Sequence, residues 1–304
     1  MVFTGSRRRK WGWRFAILIG LAISPLVTRA ASTHSSVPVR TLRGYLAVVS
    51  VSINGHGPFD FLVDTGTNTT LIESDLAAEL GLVPVDRLSL TTLTGSEPVP
   101  RYFLEETRVG SASVTRLEAL AGPLQQLRSL DRNIRGILGM NFLAAFSFRL
   151  DYEHRRLEIF DPAEPPEVSG GILVPVEITE SRVLVPVESK ASRSGVWKLA
   201  LDSGISETAI LQDRLAGDVR HHDTDTCIGV CTMVVHTNSF RSADAAQTTT
   251  DMYIAHSPLR HQPIVVLPSG PEDQRRPEDG LLPVSLFHAV FFDRAHESVI
   301  FNPR

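Results

Sequence analysis

The apolar residues of this chain fall in short runs, and their spacing is that of strands. Tyr45–Ile53 (YLAVVSVSI) is rich in β-branched residues and partly alternating, which predicts a strand. The cluster Asn54-Gly55-His56-Gly57-Pro58 reads as a turn. Phe59–Val63 predicts a second strand, which runs straight into Asp64. Ser74–Leu80 (SDLAAEL) predicts a short helix, capped by Ser74 or an earlier residue and stopped by Gly81. Further short strands follow, with turns at Thr94-Gly95-Ser96 and Val109-Gly110. Residues 135–162 read as an apolar strand, a glycine turn, a short helix over Asn141–Ala145 and a hairpin turning at Glu153-His154. Pro162–Gly171 (PAEPPEVSGG) has the composition of an interdomain linker.

Past that linker the pattern restarts. Tyr45 precedes Asp64 by 19 residues, and Val183 precedes Asp202 by 19. Phe59 and Trp197 each stand 5 residues before their aspartate. Gly136-Ile137-Leu138-Gly139 follows the first aspartate, and Gly280-Leu281-Leu282-Pro283 follows the second. Ile159-Phe160-Asp161-Pro162 closes one half, and Ile300-Phe301-Asn302-Pro303 closes the other. The matches keep their order and have similar gaps, so the chain is an internal duplication. We expect two all-β lobes with few short helices, over residues 37–162 and 172–304.

The first 31 residues differ from the rest. Arg7-Arg8-Arg9-Lys10 precedes an apolar run, Phe15–Val27, and then the small-residue frame Thr28-Arg29-Ala30 with Ala31. That is the order of a secretory signal peptide. The run is 13 residues long against the roughly 20 needed for a membrane span. We therefore expect export to the periplasm or beyond, and membrane attachment only if this segment is retained. The remaining ~270 residues suffice for two domains of ordinary size. A net charge of −4 and sparse aromatics, not interleaved with basic runs, give no pointer to nucleic acid as a partner. Export would place Cys227 and Cys231, which enclose only Ile-Gly-Val, in an oxidising compartment. A disulfide across a tight turn and two thiols in a loop both fit this spacing. CxxxC alone offers too few ligands for a metal.

The repeated element carries the chemistry. FLVDTGTNTTLI (61–72) and LALDSGISETAIL (199–211) each run an apolar strand into Asp-Thr/Ser-Gly. Glycine lets backbone amides approach the carboxylate, and the hydroxyl of Thr65 or Ser203 can fix the turn. A two-fold arrangement of the halves would set Asp64 against Asp202. Two close carboxylates cannot both ionise easily, so the pair shares a proton and offers both a base and an acid.

With these residues in view, the chain resembles the bacterial retropepsin-like aspartic proteases, in the clan that includes pepsin. The resemblance rests on Asp64-Thr65-Gly66-Thr67, Asp202-Ser203-Gly204 and Ile137-Leu138-Gly139, and covers about residues 40–304. It implies two pseudo-symmetric β-barrel lobes and a water held by Asp64 and Asp202 that attacks a peptide bond; the clan's dyad is itself a standard example of coupled carboxylates. It implies no metal and no cofactor, and a peptide or protein as partner. It also implies a flap over the substrate, for which Gly95 and, in the second half, Gly229 are the candidates. The second half departs from the family pattern: it reads Asp-Ser-Gly-Ile, and Pro283 stands where the first half has Gly139. The repeated turn nonetheless makes Asp202 the expected partner in a monomer. The alternatives are a homodimer built on Asp64 and a non-catalytic peptide-binding or scaffold protein of the same fold.

Other clusters read as loops. His221-His222-Asp223-Thr224-Asp225 lacks the spacing of paired metal ligands, and His256 and His261 flank a proline. Gly-x-Ser-x-Gly, His-Glu-x-x-His and phosphate-loop motifs are absent from the sequence.

Overall fold

Each half of the chain builds one eight-stranded sheet, and the two halves share a third sheet of six strands. The structure is a computed structural model, and it describes residues 34–92, 95–122, 124–166, 168, 170–179, 181–217, 233–236, 242–269 and 276–303. The amino-terminal segment expected to direct export lies outside these residues. Among the described residues, no helix is long and apolar enough to cross a membrane.

After β1 (His34–Pro38), the first half runs β2 (Arg40–Leu42), β3 (Leu46–Ile53), β4 (His56–Val63), β5 (Thr70–Glu73), β6 (Asp86–Thr92), β7 (Gly95–Val109), β8 (Ala112–Gly122) and β9 (Ile134–Leu138). Then come β10 (Ser147–Asp151) and β11 (Arg156–Phe160). The second half repeats the series as β12 (Ile172–Pro175), β13 (Glu177–Thr179), β14 (Arg182–Glu188), β15 (Val196–Asp202), β16 (Thr208–Leu211), β17 (Met233–His236), β18 (Ser242–Ile254), β19 (Ser257–Leu267) and β20 (Gly280–Pro283). β21 (Phe287–Asp293) and β22 (Ser298–Pro303) end it. The helices are short: α1 (Ser74–Glu79), α2 (Gln125–Leu130) and α3 (Met140–Leu143).

The first lobe has the order β2-β3-β4-β9-β5-β8-β7-β6, and the second β13-β14-β15-β20-β16-β19-β18-β17. Strand for strand these are the same path. Extra pairings, β3 with β7 and β14 with β18, curl each sheet back on itself. The all-β architecture expected from the pattern is thus the one observed. The third sheet runs β1-β11-β10-β21-β22-β12 and takes three strands from each half. Its seam pairs Phe148 with Phe292, whose rings stack at 4.4 Å.

Local chemistry explains the turns. Asn54 (φ 51°) and Gly55 (φ 78°) alone make the tight link between β3 and β4. His56–Pro58, read as part of the turn, instead begins β4, because two left-handed residues already reverse the chain. Helix α1 is capped at Leu80 and followed by Gly81, whose φ of 62° suits a residue without a Cβ. Its N-cap is Glu73, not Ser74, and its first turn has no side-chain cap.

The main core runs through both lobes. Alternate residues of β3, β4, β14 and β15, such as Val49, Val63, Val185 and Leu201, point into it. Each lobe keeps a smaller second core on the opposite face of the same strands. Leu46, Leu62, Leu71 and Ile137 form it in the first lobe, and Leu184, Ala200, Ala209 and Leu281 in the second. With both faces of these central strands buried, their ends are rigid, and Asp64 and Asp202 stand at two such ends.

Candidate active site

β4 and β9 run parallel, with Leu62 beside Ile137 and Val63 beside Leu138. The Asp64 N–H extends that ladder by one bond, to Leu138 O at 3.0 Å. β15 and β20 repeat this with Leu201 beside Leu282 and Asp202 beside Pro283. Both aspartates are buried, 2% exposed for Asp64 and 8% for Asp202.

The Asp64 carboxylate accepts the Gly66 N–H on Oδ1 and the Thr67 hydroxyl on Oδ2, each at 2.9 Å. Asp202 Oδ1 accepts the Gly204 N–H at 2.6 Å. The residue matching Thr67 is Ile205, buried and without a hydroxyl. The two carboxyls hydrogen-bond to each other. Gly66 makes this approach possible, since a Cβ there would stand 2.4 Å from Asp202 Cγ and Oδ2. Burial pushes the Asp202 carboxyl well above the usual carboxylate range, and the Asp64 charge adds to the effect. The Gly204 N–H and the Arg182 guanidinium act in the opposite direction. Two carboxyls this close to each other do not both ionise readily.

The hydroxyls of Thr65 and Ser203 were expected to fix their own turns. Each instead reaches into the other lobe. The Thr65 hydroxyl donates to Leu201 O at 2.9 Å and accepts the Ser203 N–H at 3.0 Å. The Ser203 hydroxyl donates to Val63 O at 2.8 Å and accepts the Thr65 N–H at 3.0 Å. Four buried bonds thereby clamp one turn to the other. A hydroxyl after each aspartate was visible in the sequence, but its partner about 138 residues away was not.

The two supporting turns differ. Behind the first, the N–H groups of Met140 and Asn141 donate to Thr67 O and Asn68 O at 2.8 and 3.0 Å. The Thr70 hydroxyl donates to Asn141 Oδ1 at 2.8 Å and accepts the Gly139 N–H at 3.3 Å. In the second lobe Pro283 has no N–H to give, and Ser285 replaces Asn141. The matching hydroxyl, Thr208 Oγ1, is buried with no hydrogen-bond partner among the described residues.

Of the two flap candidates, Gly95 pairs with Thr92 where the β6–β7 hairpin narrows to residues 93–94, outside the described set. Gly229, Cys227 and Cys231 also lie outside it, as does the stretch 221–225. The hairpin matching β6–β7 in the second lobe pairs His236 with Ser242. Tyr102, an aromatic near the first flap in sequence, lies buried in β7 opposite Ala119. His256 and His261 occupy left-handed backbone positions in the β18–β19 hairpin, with φ of 65° and 50°.

Two neighbours of the paired carboxyls escaped sequence reading. Tyr45, just before β3, lies close to Ser206 of the opposite Asp-Ser-Gly turn and within charge range of Asp202, and burial raises its phenol above the usual range. Arg182 opens β14 and acts on Asp202 as described. Their sequence contexts, a strand start and a polar turn, carry no signal of either contact.

Two like-built lobes, each ending a strand in an Asp-Thr/Ser-Gly turn at their common boundary, define the architecture of the retropepsin- and pepsin-like aspartic proteases. Residues 49–142 match the family model described as aspartyl protease. Among solved structures, the aspartic proteinase from Irpex lacteus shares the fold at a TM-score of 0.53 and 12% identity, over 88% of this chain and 97% of that one. A retropepsin-like aspartic protease from Rickettsia conorii matches 44% of this chain and 94% of its own, at 18% identity and a TM-score of 0.32. No curated protein matches the chain.

Proposed function

We propose that this protein is an exported aspartic endopeptidase, acting as a monomer on peptide or protein substrates through Asp64 and Asp202. The observation that carries the reading is the buried, hydrogen-bonded pair of carboxylates at the lobe boundary, one from each half. In the singly protonated pair, the ionised carboxylate accepts a proton from water as that water attacks the scissile carbonyl. The protonated one donates to the carbonyl oxygen, and the tetrahedral species then collapses as its nitrogen gains a proton. The bonds from Gly66 and Thr67 fix the orientation of the Asp64 carboxyl for this chemistry. Because the second carboxylate comes from the same chain, this mechanism has no need of a homodimer.

The test is cleavage of a peptide library by the wild type, Asp64→Asn and Asp202→Asn from acid to neutral pH. Both variants should lose at least about 10³-fold in kcat/KM, while a statine-type peptide inhibits the wild type. Full activity in Asp64→Asn would refute the reading. Loss confined to Asp64→Asn would point to a homodimer, and a wild type that binds peptides without cleaving them to a scaffold. Export is tested separately, by fractionating cells that express the full chain with and without residues 1–31.

A further inference from the structure

A cavity of about 120 Å³ lies between the two halves, beside the six-stranded sheet. Met140, Phe146 and Phe148 line it from the first half, and Val183, Phe292 and Val299 from the second. All six are buried. Ile178, 48% exposed, also lines it and marks its mouth. Such a space suits an apolar guest better than water: an engineered cavity of about 150 Å³ with similar walls stays dry and takes benzene. One polar group breaks the apolar lining without a partner. Ser298 is among the wall residues, and its hydroxyl is buried with no hydrogen-bond partner among the described residues. A buried hydroxyl left unbonded is costly. Asp293 lines the cavity too, but its oxygens already accept the Ala295 and His296 N–H groups and meet His296 Nδ1.

The duplication explains the space. Asp151 faces Arg156 across the β10–β11 hairpin, as Asp293 faces Ser298 across β21–β22. Through Oδ2 each aspartate also meets the histidine three residues on, His154 at 2.9 Å and His296 at 2.7 Å. Tyr152 and Arg294 therefore hold the same place in the two hairpins. By the same register Leu150 and Leu157 correspond to Phe292 and Val299. Val284 follows Pro283 as Met140 follows Gly139. Tyr152 is buried in the core that holds Leu150, Leu157 and Val284. Arg294 carries no ring, and its guanidinium donates to Ala144 O in an exposed bond. One half thus buries a phenol where the other keeps a cavity.

We propose that this cavity is a binding site for a small phenol, whose ring takes the place that Tyr152 fills in the first half and whose hydroxyl bonds Ser298 Oγ. The lining selects the ring by size and apolar contact, and the orphan hydroxyl selects the phenol over a plain hydrocarbon. The site is distinct from the paired carboxyls and stands whether or not they cleave peptides. It adjoins their support all the same. The Met140 N–H donates to Thr67 O at 2.8 Å, and the Thr67 hydroxyl donates to Asp64 Oδ2 at 2.9 Å. A ring seated against Met140 therefore backs the turn that carries Asp64.

The experiment titrates the full chain, ¹³C-labelled at its methionine methyls, with phenol, toluene and N-acetyltyrosinamide. The Met140 signal is identified by its loss in Met140→Leu. Phenol should shift the Met140 methyl, with a Kd on the order of 1 mM or tighter for so small a ligand. The methyl of Met252, buried but outside the cavity wall, should stay in place. Arg294→Tyr installs the residue of the first half and should weaken phenol binding at least about tenfold, whereas Arg294→Ala removes the same guanidinium without adding a ring and should keep it. Ser298→Ala should weaken phenol by about five- to tenfold, the worth of one neutral hydrogen bond, and leave toluene unchanged. A Met140 signal unmoved by phenol, equal shifts at Met252, or full binding in Arg294→Tyr would overturn the proposal. So would equal losses of phenol and toluene in Ser298→Ala. Binding of N-acetyltyrosinamide without binding of phenol would overturn it in favour of a tyrosyl side chain as the guest. If Arg294→Tyr does not fold, the split between phenol and toluene in Ser298→Ala decides.

Discussion

Replacing Gly66 with alanine tests the meeting of the two lobes most directly. Gly66 does not occupy the left-handed region, so its backbone accepts alanine and the effect is steric. The new Cβ would lie 2.4 Å from Asp202 Cγ and Oδ2 and 2.8 Å from Oδ1. That is about 1 Å short of ordinary contact between non-bonded heavy atoms. Asp202 has little room to yield, being buried and bonded to the Gly204 N–H at 2.6 Å. The two loops must therefore part by most of that shortfall. The cross-lobe bonds, now 2.8–3.0 Å, would stretch beyond hydrogen-bonding distance. Overpacking of this kind costs about 1–3 kcal/mol, and a displacement of about 1 Å at reacting groups costs on the order of 10²-fold in rate. Chemical denaturation and peptide kinetics measure the two effects. Gly122→Ala is the control, because a Cβ there meets nothing within 4 Å. If Gly66→Ala matches Gly122→Ala in stability and activity, the carboxylates do not approach as described.

Two further substitutions separate the roles of neighbouring hydroxyls. Thr65→Val leaves Leu201 O without its donor and the Ser203 N–H without its acceptor, so it should destabilise the protein by about 3 kcal/mol in urea titration, while Thr65→Ser keeps the bonds and most of the stability. Thr208→Val removes a buried hydroxyl that has no partner among the described residues and should raise stability by about 1 kcal/mol, whereas Thr70→Val breaks bonds to Asn141 and Gly139 and should lower it by about 2 kcal/mol. Equal melting shifts in those two variants would show that the lobes support their loops alike.

What the sequence revealed and what it hid follow the same physical line. Strands such as Leu46–Ile53 were legible because alternation and β-branching are local, and the Asp-Thr/Ser-Gly turns because apolar strands lead directly into them. The duplication was legible because order and spacing are written in one dimension. The reading of Asn54–Pro58 as one turn failed because several turn-forming residues in a row do not say which two reverse the chain. The shared sheet, the crossed hydroxyl bonds and the reach of Tyr45 to Ser206 left no local trace, since each joins segments more than a hundred residues apart. Ile205 and Pro283 were visible as departures from pattern. Only the structure turned them into an uneven support for two aspartates and an unsatisfied hydroxyl at Thr208.

The seam between β10 and β21 also bears on the order of events during folding. It joins Phe148 to Phe292, and the crossed bonds of the two aspartate turns span 136 to 140 residues. Contacts so distant in sequence must overcome the greatest loop-closure entropy and make topologies of this kind slow to form. Most hairpins of either half can therefore form before the two aspartates meet. A chain still emerging from the ribosome has its first aspartate and lacks its second, so whatever hydrolytic power the pair possesses is withheld until synthesis is complete and the halves have joined.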